Sequence, residues 1–359
     1  MIEVMGFLTP FIVYLCITLL HFFLPGRWVV GYVDNPNTGQ KLRYRLNGRL
    51  VLLASIGLWY TLGYLGWVSW GWLYEVRWSS LAGACVIGLV YSLASVLPYP
   101  STGRSFPVDF FLGRPENPQF RDGHIDAKMW LYLIGAVMLA LNVLSFAAYH
   151  HLTYGNESSA GIFVSAALII YFILDYLTFE KVHLYTYDIF AERVGFKLGW
   201  GCLTFYPYFY AIALWSTVDL PNPEQPVWWP YLSVGLFFMG WCLARGANMQ
   251  KFYFKIQPDK SFLGITPETV TDGERTLLVN GFWGLSRHIN YLGEILMASG
   301  IALAVGYPGA IWPWLYPLYY VVLLFPRERD DDRRCAAKYG PLWQQYTSRV
   351  KHRIIPYIY

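Results

Sequence analysis

The sequence predicts an all-α, polytopic integral membrane protein with about 9 transmembrane helices, 8 to 10 being compatible with the pattern. Three observations carry this. Hydrophobic residues make up 55% of the chain and charged ones only 14%, against roughly 25% charged in a soluble domain. Mean hydropathy is +0.34. The 16 Trp and 29 Tyr suit aromatic belts at the two membrane–water interfaces, or the walls of an apolar cavity.

A membrane span takes ~20 mostly apolar residues. Such stretches fall at about 5–24, 50–70, 80–97, 129–149, 160–179, 198–218, 228–246, 289–306 and 309–325. The last two form a helical hairpin turning at Tyr307-Pro308-Gly309. The first begins after Glu3, with no basic flank and no small-residue cleavage site, so it reads as a retained span and not a signal peptide. No internal repeat or low-complexity segment divides the chain, and residues 1–359 are read as a single multi-span membrane domain.

Loop charges give an orientation. Loop 25–49 carries Arg27, Lys41, Arg43, Arg45 and Arg49 against Asp34. Loops 98–128, 180–197 and 245–288 are also rich in Lys and Arg, whereas the alternate connections are nearly free of them. The positive-inside rule then places the basic loops and the C-terminal tail in the cytoplasm and the N-terminus outside. Nearly all the polar, motif-like sequence falls on the cytoplasmic side, so a water-borne cofactor would bind there.

Several classes are set aside. The cysteines, Cys16, Cys85, Cys202, Cys242 and Cys335, show no CxxC or metal-type spacing, which argues against a zinc site or disulfide framework. A net charge of +4 is too small to point to nucleic acid. There is no GxGxxG after a strand, no GxxxxGK[ST], no HExxH and no GxSxG, so any nucleotide must be held in a non-standard way.

Three stretches could carry chemistry. Arg245 to Lys255 places Lys251 and Lys255 four residues apart, on one helical face just outside the membrane. That is either a basic anchor for anionic lipid or, with Asn248 and Gln250 beside it, a phosphate-binding site. Leu277 to Glu294, LLVNGFWGLSRHINYLGE, brings Trp283, Arg287, His288, Asn290, Tyr291 and Glu294 to the mouth of a span, where uncompensated polar groups are costly. In the tail, Asp331, Cys335 and Tyr339 are spaced to share a helix face. Gly340-Pro341 ends that helix and starts another carrying Tyr346, Arg349 and Arg353.

These motifs resemble the sterol reductase family, which includes Δ14-sterol reductases, 7-dehydrocholesterol reductase and the sterol-reductase part of the lamin B receptor. GFWGLSRHINYLGE is similar to G-[FW]-W-G-x-x-R-H-x-N-Y-x-G-D. The tail, with Arg353-Ile354-Ile355-Pro356-Tyr357, is similar to R-D-x-x-x-C-x-x-K-Y-G followed by R-x-x-P-Y. Asp109 to Pro118, DFFLGRPENP, is similar to D-F-x-x-G-R-x-x-N-P. Arg245 to Lys255 resembles R-x-x-N-x-Q-K-x-x-F-R, and Thr186 to Ile189 resembles T-x-D-I. Departures are Lys255 for Arg, Glu294 for Asp, Gln119 for Arg, and Cys202 where relatives often carry Asp. The run Asp330-Asp331-Asp332 leaves the R-D register open by one residue; Asp331 keeps the four-residue step to Cys335.

The resemblance covers about Asp109 to the end and implies an NADPH-dependent reductase of a sterol carbon–carbon double bond. On it, 1–108 holds N-terminal spans and 109–359 the catalytic part, with the NADPH site in 245–359. The implied cofactor contacts are Lys251, Lys255, Leu278, Trp283, Asn290, Tyr291, Asp331, Cys335, Lys338, Tyr339 and Tyr346. The implied acid relay is Tyr346 and Asp331, helped by Tyr291 or Glu294; no metal is called for. The sterol would enter from the lipid phase of a bacterial inner membrane or the endoplasmic reticulum, next to membrane lipid. Δ14 reduction is preferred over Δ7. Two alternatives stand beside it: an integral-membrane S-adenosylmethionine-dependent methyltransferase, which shares the Arg-His turn and the charged tail, and a non-catalytic sterol-binding protein.

Overall fold

The protein is described from a computed structural model covering residues 2–36 and 38–359. It is mostly helical and folds as two compact units, Met1–Pro223 and Glu224–Tyr359. The segment 245–359 lies wholly within the second unit. In the first unit the main helices are α1 (Ile2–Phe23), α2 (Gly48–Tyr64), α3 (Arg77–Val96), α4 (Ala127–Tyr154) and α5 (Ala160–Thr178). In the second they are α6 (Trp229–Ile256), α7 (Ile289–Ala304), α8 (Ile311–Tyr339) and α9 (Pro341–Arg349). Among the described residues, four helical segments are long and apolar enough to cross a membrane: Ile2–Phe23, Arg77–Val96, Ala127–Glu157 and Ala160–Thr178. They match the first, third, fourth and fifth stretches read from the sequence.

The sixth stretch differs. Residues 198–218 do not form one helix but Phe196–Trp200, a π-turn at Gly201–Phe205, and short helices at Tyr206–Phe209 and Ile212–Trp215. Pro207 has no N–H to give the carbonyl of Leu203 four residues back. That oxygen accepts the Tyr14 hydroxyl instead, and the Thr204 hydroxyl donates to Ala84 O at 2.9 Å.

The connections also hold strand, which an all-α reading does not anticipate. Arg27–Asp34 (β1) pairs antiparallel with Lys41–Leu46 (β2). In β2 the buried Leu42 and Tyr44 alternate with exposed Lys41 and Arg43, the period of a half-buried strand. Two smaller hairpins join Gln119–Phe120 (β3) to Ile125–Asp126 (β4), and Thr269–Thr271 (β5) to Thr276–Leu278 (β6).

The DFFLGRPENP segment is a brace of the first unit. Buried Asp109 accepts from the Thr102 hydroxyl (2.5 Å), the Thr102 amide (3.2 Å), Ser101 Oγ (3.1 Å) and Arg114 Nε (3.0 Å). These donors, the Thr102 hydroxyl foremost, hold its carboxyl below the usual range against the effect of burial. Asn117 Oδ1 and Ile189 O share the buried Lys128 ammonium at 3.0 and 2.6 Å, which ties this segment to Thr186–Ile189.

In the second unit, α6 and α7 approach closely through small residues. A Cβ on Gly293 would meet Ala244 N and Gly240 O at 2.5 Å; one on Gly300 would meet Phe237 N and Ser233 O at 2.8 Å. Neighbouring backbone cannot yield as a side chain can. Gly293→Val is expected to cost at least about 2 kcal/mol of stability, read as a lower melting temperature in detergent. Gly235→Ala on the same α6, where a Cβ meets nothing within 4 Å, is expected to leave it unchanged. The turn at Tyr307-Pro308-Gly309 closes as read from the sequence, with Ala310 N donating to Tyr307 O at 3.0 Å. α8 then runs unbroken from apolar sequence into the charged tail.

Candidate active site

The GFWG turn is docked on α6 by side chains that the sequence reading assigned differently. Gln250, which the sequence set beside a candidate phosphate site, is buried; its Oε1 accepts from Phe282 N at 2.9 Å and its Nε2 donates to Asn280 O at 3.3 Å. Both ends of its amide help to fix the turn. Gly281 sits at φ 64, against the Gln250 amide, a conformation and closeness suited to glycine. Trp283 Nε1 donates to Ala247 O at 2.7 Å, which presents the indole face to Lys251 Nζ, 4.8 Å from the ring centroid. That is a cation–π distance.

Ser286, Arg287 and His288 are stitched to the tail. Arg287 N donates to His352 O (2.9 Å), His288 N to Arg353 O (2.8 Å) and Ser286 Oγ to Ile354 O (2.9 Å). A charge network reinforces the seam. Arg287 Nη1 meets Asp332 Oδ1 at 2.7 Å, Arg353 bridges Asp332 (3.6 Å) and Glu328 (3.2 Å), and the Tyr359 hydroxyl donates to Glu328 at 3.4 Å. Glu328 is fully buried. Neither Glu328 nor Asp332 was singled out in the sequence. Their i, i+4 spacing on α8, complementary to two arginines elsewhere, was the available signal. Arg353, expected on α9, lies just past that helix, which ends at Arg349.

The three consecutive aspartates have different surroundings. Asp330 pairs with Arg333 (3.7 Å) and Arg334 (2.7 Å), and Asp332 belongs to the network above. Asp331 instead has its carboxylate 3.8 Å from His288 Nε2. Burial raises the Asp331 carboxyl above the usual range, against the pull of Lys251, Arg334 and Arg327. Burial, then the charges of Lys251, Arg287 and Arg353, push the His288 imidazole down to about 3, so it is neutral at ordinary pH. Its ring stacks on Tyr291 at 4.8 Å.

Beside Asp331 stand Cys335 and Tyr346. Burial first, and then Asp331, pushes the Cys335 thiol up to about 12, so it stays protonated. The Tyr346 phenol is raised by burial and feels Arg287, Cys335 and Asp331. It ends an aromatic stack, Tyr339 on Trp343 (6.3 Å) and Trp343 on Tyr346 (4.8 Å). Lys255 completes the group: burial, Lys251 and Lys338 together push its ammonium down to about 7. Lys338 lies 5.1 Å over Tyr339.

Of the residues read from the sequence, the structure thus gathers Lys251, Lys255, Trp283, Asp331, Cys335, Lys338, Tyr339 and Tyr346. Asn290 and Tyr291 adjoin them through Asn248 and His288. Leu278 is buried at the end of β6, and Glu294 is half-buried on α7, four residues beyond Asn290. Among the described residues, no cluster of His, Cys, Asp or Glu could hold a metal ion.

Helices of membrane-crossing length, together with a corner lined by ammonium groups and aromatic rings, define a helical membrane protein with a site suited to an anionic, partly aromatic ligand. The chain belongs to the Ergosterol biosynthesis ERG4/ERG24 family, whose profile matches residues 4–359. It is 32% identical over 354 residues to Delta(14)-sterol reductase of Arabidopsis thaliana, covering 94% of this chain and 91% of the relative. It is 34% identical over 355 residues to a Delta(14)-sterol reductase of Mus musculus, covering 94% and 82%. A Delta(14)-sterol reductase of Methylotuvimicrobium alcaliphilum is 31% identical over 349 residues, covering 95% and 80%.

Proposed function

We propose that the protein is a multi-pass membrane oxidoreductase that uses NADPH to reduce a carbon–carbon double bond in a sterol, Δ14 in preference to Δ7. Family membership and the names of the relatives support sterol reduction over methyl transfer or non-catalytic sterol binding. The observation that carries the cofactor reading is the convergence of Lys251, Lys255 and Lys338, where burial and then the charges of Lys251 and Lys338 depress the Lys255 ammonium. Such a cluster favours a multiply charged anion, and NADPH carries an extra phosphate. The site is read as facing the cytoplasm, where that nucleotide is found, in a bacterial inner membrane or the endoplasmic reticulum. The sterol, nearly all hydrocarbon, would arrive from the surrounding lipid.

The chain's residues would divide the work as follows. Lys251, Lys255 and Lys338 hold phosphate; Trp283, Tyr291 and Tyr339 wall the aromatic part; Asn290 orients it; Leu278 and Cys335 close the pocket. When bound, NADPH supplies the hydride. An isolated alkene accepts hydride only after protonation, so an acid is required. Burial raises the Asp331 carboxyl above the usual range, which suits it to relay a proton, and the Tyr346 hydroxyl passes one to an alkene carbon, leaving the tertiary carbon to accept hydride. Tyr291 and Glu294 are supporting members of that relay. Anaerobic incubation of detergent-solubilised protein with NADPH and a mixture of Δ7,8 and Δ14,15 sterols tests the reading by mass spectrometry. Loss of the Δ14 bond is expected; reduction of neither bond removes the proposal.

A further inference from the structure

We propose that Asn248 is a positioning residue for the cofactor. It turns the Asn290 side chain so that the Asn290 carbonyl accepts a hydrogen bond from the carboxamide N–H of the nicotinamide. The proposal rests on the NADPH reading above and deepens it.

Asn290 stands in the first turn of α7 and Asn248 on the facing turn of α6. Asn290 Nδ2 donates to Asn248 Oδ1 at 3.4 Å. This commits the amide's donor end to α6 and leaves Asn290 Oδ1 pointing away. That oxygen is buried and has no hydrogen-bond partner. Buried polar atoms are nearly always bonded, and an unmet one in a native structure calls for an explanation. Tying α6 to α7 is not the explanation, because Gly240, Gly293 and Gly300 already bring the two backbones into contact.

The surroundings narrow the missing partner. Trp283 is locked beside Asn248 by its bond to Ala247 O, and the stacked rings of His288 and Tyr291 flank Asn290 in sequence. The acceptor needs a donor, and aromatic side chains stand on the same segment, close in sequence to both asparagines. Phosphates carry no donor at neutral pH and are drawn to the lysines. A nicotinamide is flat, and its carboxamide carries N–H donors. Asn248 would touch neither ring nor phosphate; it would act through Asn290 by fixing which end of that amide faces the ligand.

The test compares NADPH with the reduced 3-acetylpyridine analogue, in which a methyl group replaces the carboxamide NH2. Dissociation constants are measured by calorimetry on the full chain in detergent. The unmodified protein is expected to bind the analogue about tenfold more weakly, the worth of one hydrogen bond to a buried acceptor. Asn248→Leu is expected to weaken NADPH about tenfold and to bind both nucleotides equally. Asn248→Asp, which keeps the acceptor facing Asn290, is expected to retain the discrimination. Asn248→Ala serves in place of Asn248→Leu if the larger side chain prevents purification. Equal binding of the two nucleotides by the unmodified protein overturns the proposal and leaves the NADPH reading standing. So does discrimination that survives in Asn248→Leu or Asn248→Ala. Failure of the folded, unmodified protein to bind NADPH overturns both.

Discussion

Asp331→Asn is expected to lower turnover at saturating sterol and NADPH by at least about 100-fold, the low end of what a positioned acid contributes. Burial raises the Asp331 carboxyl above the usual range, and its charge is felt by Cys335 and Tyr346, so it is placed to relay a proton to the phenol. Asparagine keeps the shape and loses the proton. Tyr346→Phe should fall by a similar factor, since it removes the hydroxyl while leaving the ring stacked on Trp343. The neighbouring Asp332→Asn should behave differently. It breaks ion pairs to Arg287 and Arg353 at 2.7 and 3.6 Å, so its main effect should be a lower melting temperature. Equal turnover in Asp331→Asn and the parent protein would sink the acid assignment.

NADPH affinity should fall as pH rises above about 7, and Lys255 is the cause. Its ammonium is pushed down to about 7 by burial, Lys251 and Lys338, so the free protein at pH 8 carries it mostly neutral. Bound phosphate favours the charged form and raises that value, so binding takes up a proton. The dissociation constant should then grow by up to about tenfold per pH unit between pH 7 and the raised value in the complex. Below pH 7 Lys255 is already charged and this dependence vanishes. Lys255→Arg, permanently charged, should flatten the profile, and Lys255→Met should bind weakly throughout. Calorimetry in two buffers of different ionisation heat measures the proton directly. No proton uptake at pH 8 by the unmodified protein would contradict the assignment.

The long apolar helices were legible because crossing a membrane imposes length and hydropathy, and both are local properties. The segment 198–218 has the right hydropathy, yet Pro207 and the Tyr14 bond to Leu203 decide its shape. That partner lies 189 residues away in sequence. The β1–β2 hairpin was missed because its charges dominate, although the alternation of Leu42 and Tyr44 with Lys41 and Arg43 was there to be read. In the second unit, helical spacing sufficed to align Asp331, Cys335 and Tyr339. Spacing did not reveal that Gln250 is bonded to Phe282 N and Asn280 O. Nor did it show that Glu328 and Asp332 bind the arginines of two distant segments. Those facts depend on where separate pieces of chain meet.

The most direct test of the account follows the two hydrogens added to the sterol. With NADPH deuterated at both C4 positions in ordinary water, the reduced sterol should carry one deuterium. With unlabelled NADPH in heavy water it should again carry one, at the other carbon of the former double bond. A reduced sterol with no deuterium from the nucleotide, or no reduced sterol at all, would contradict the account.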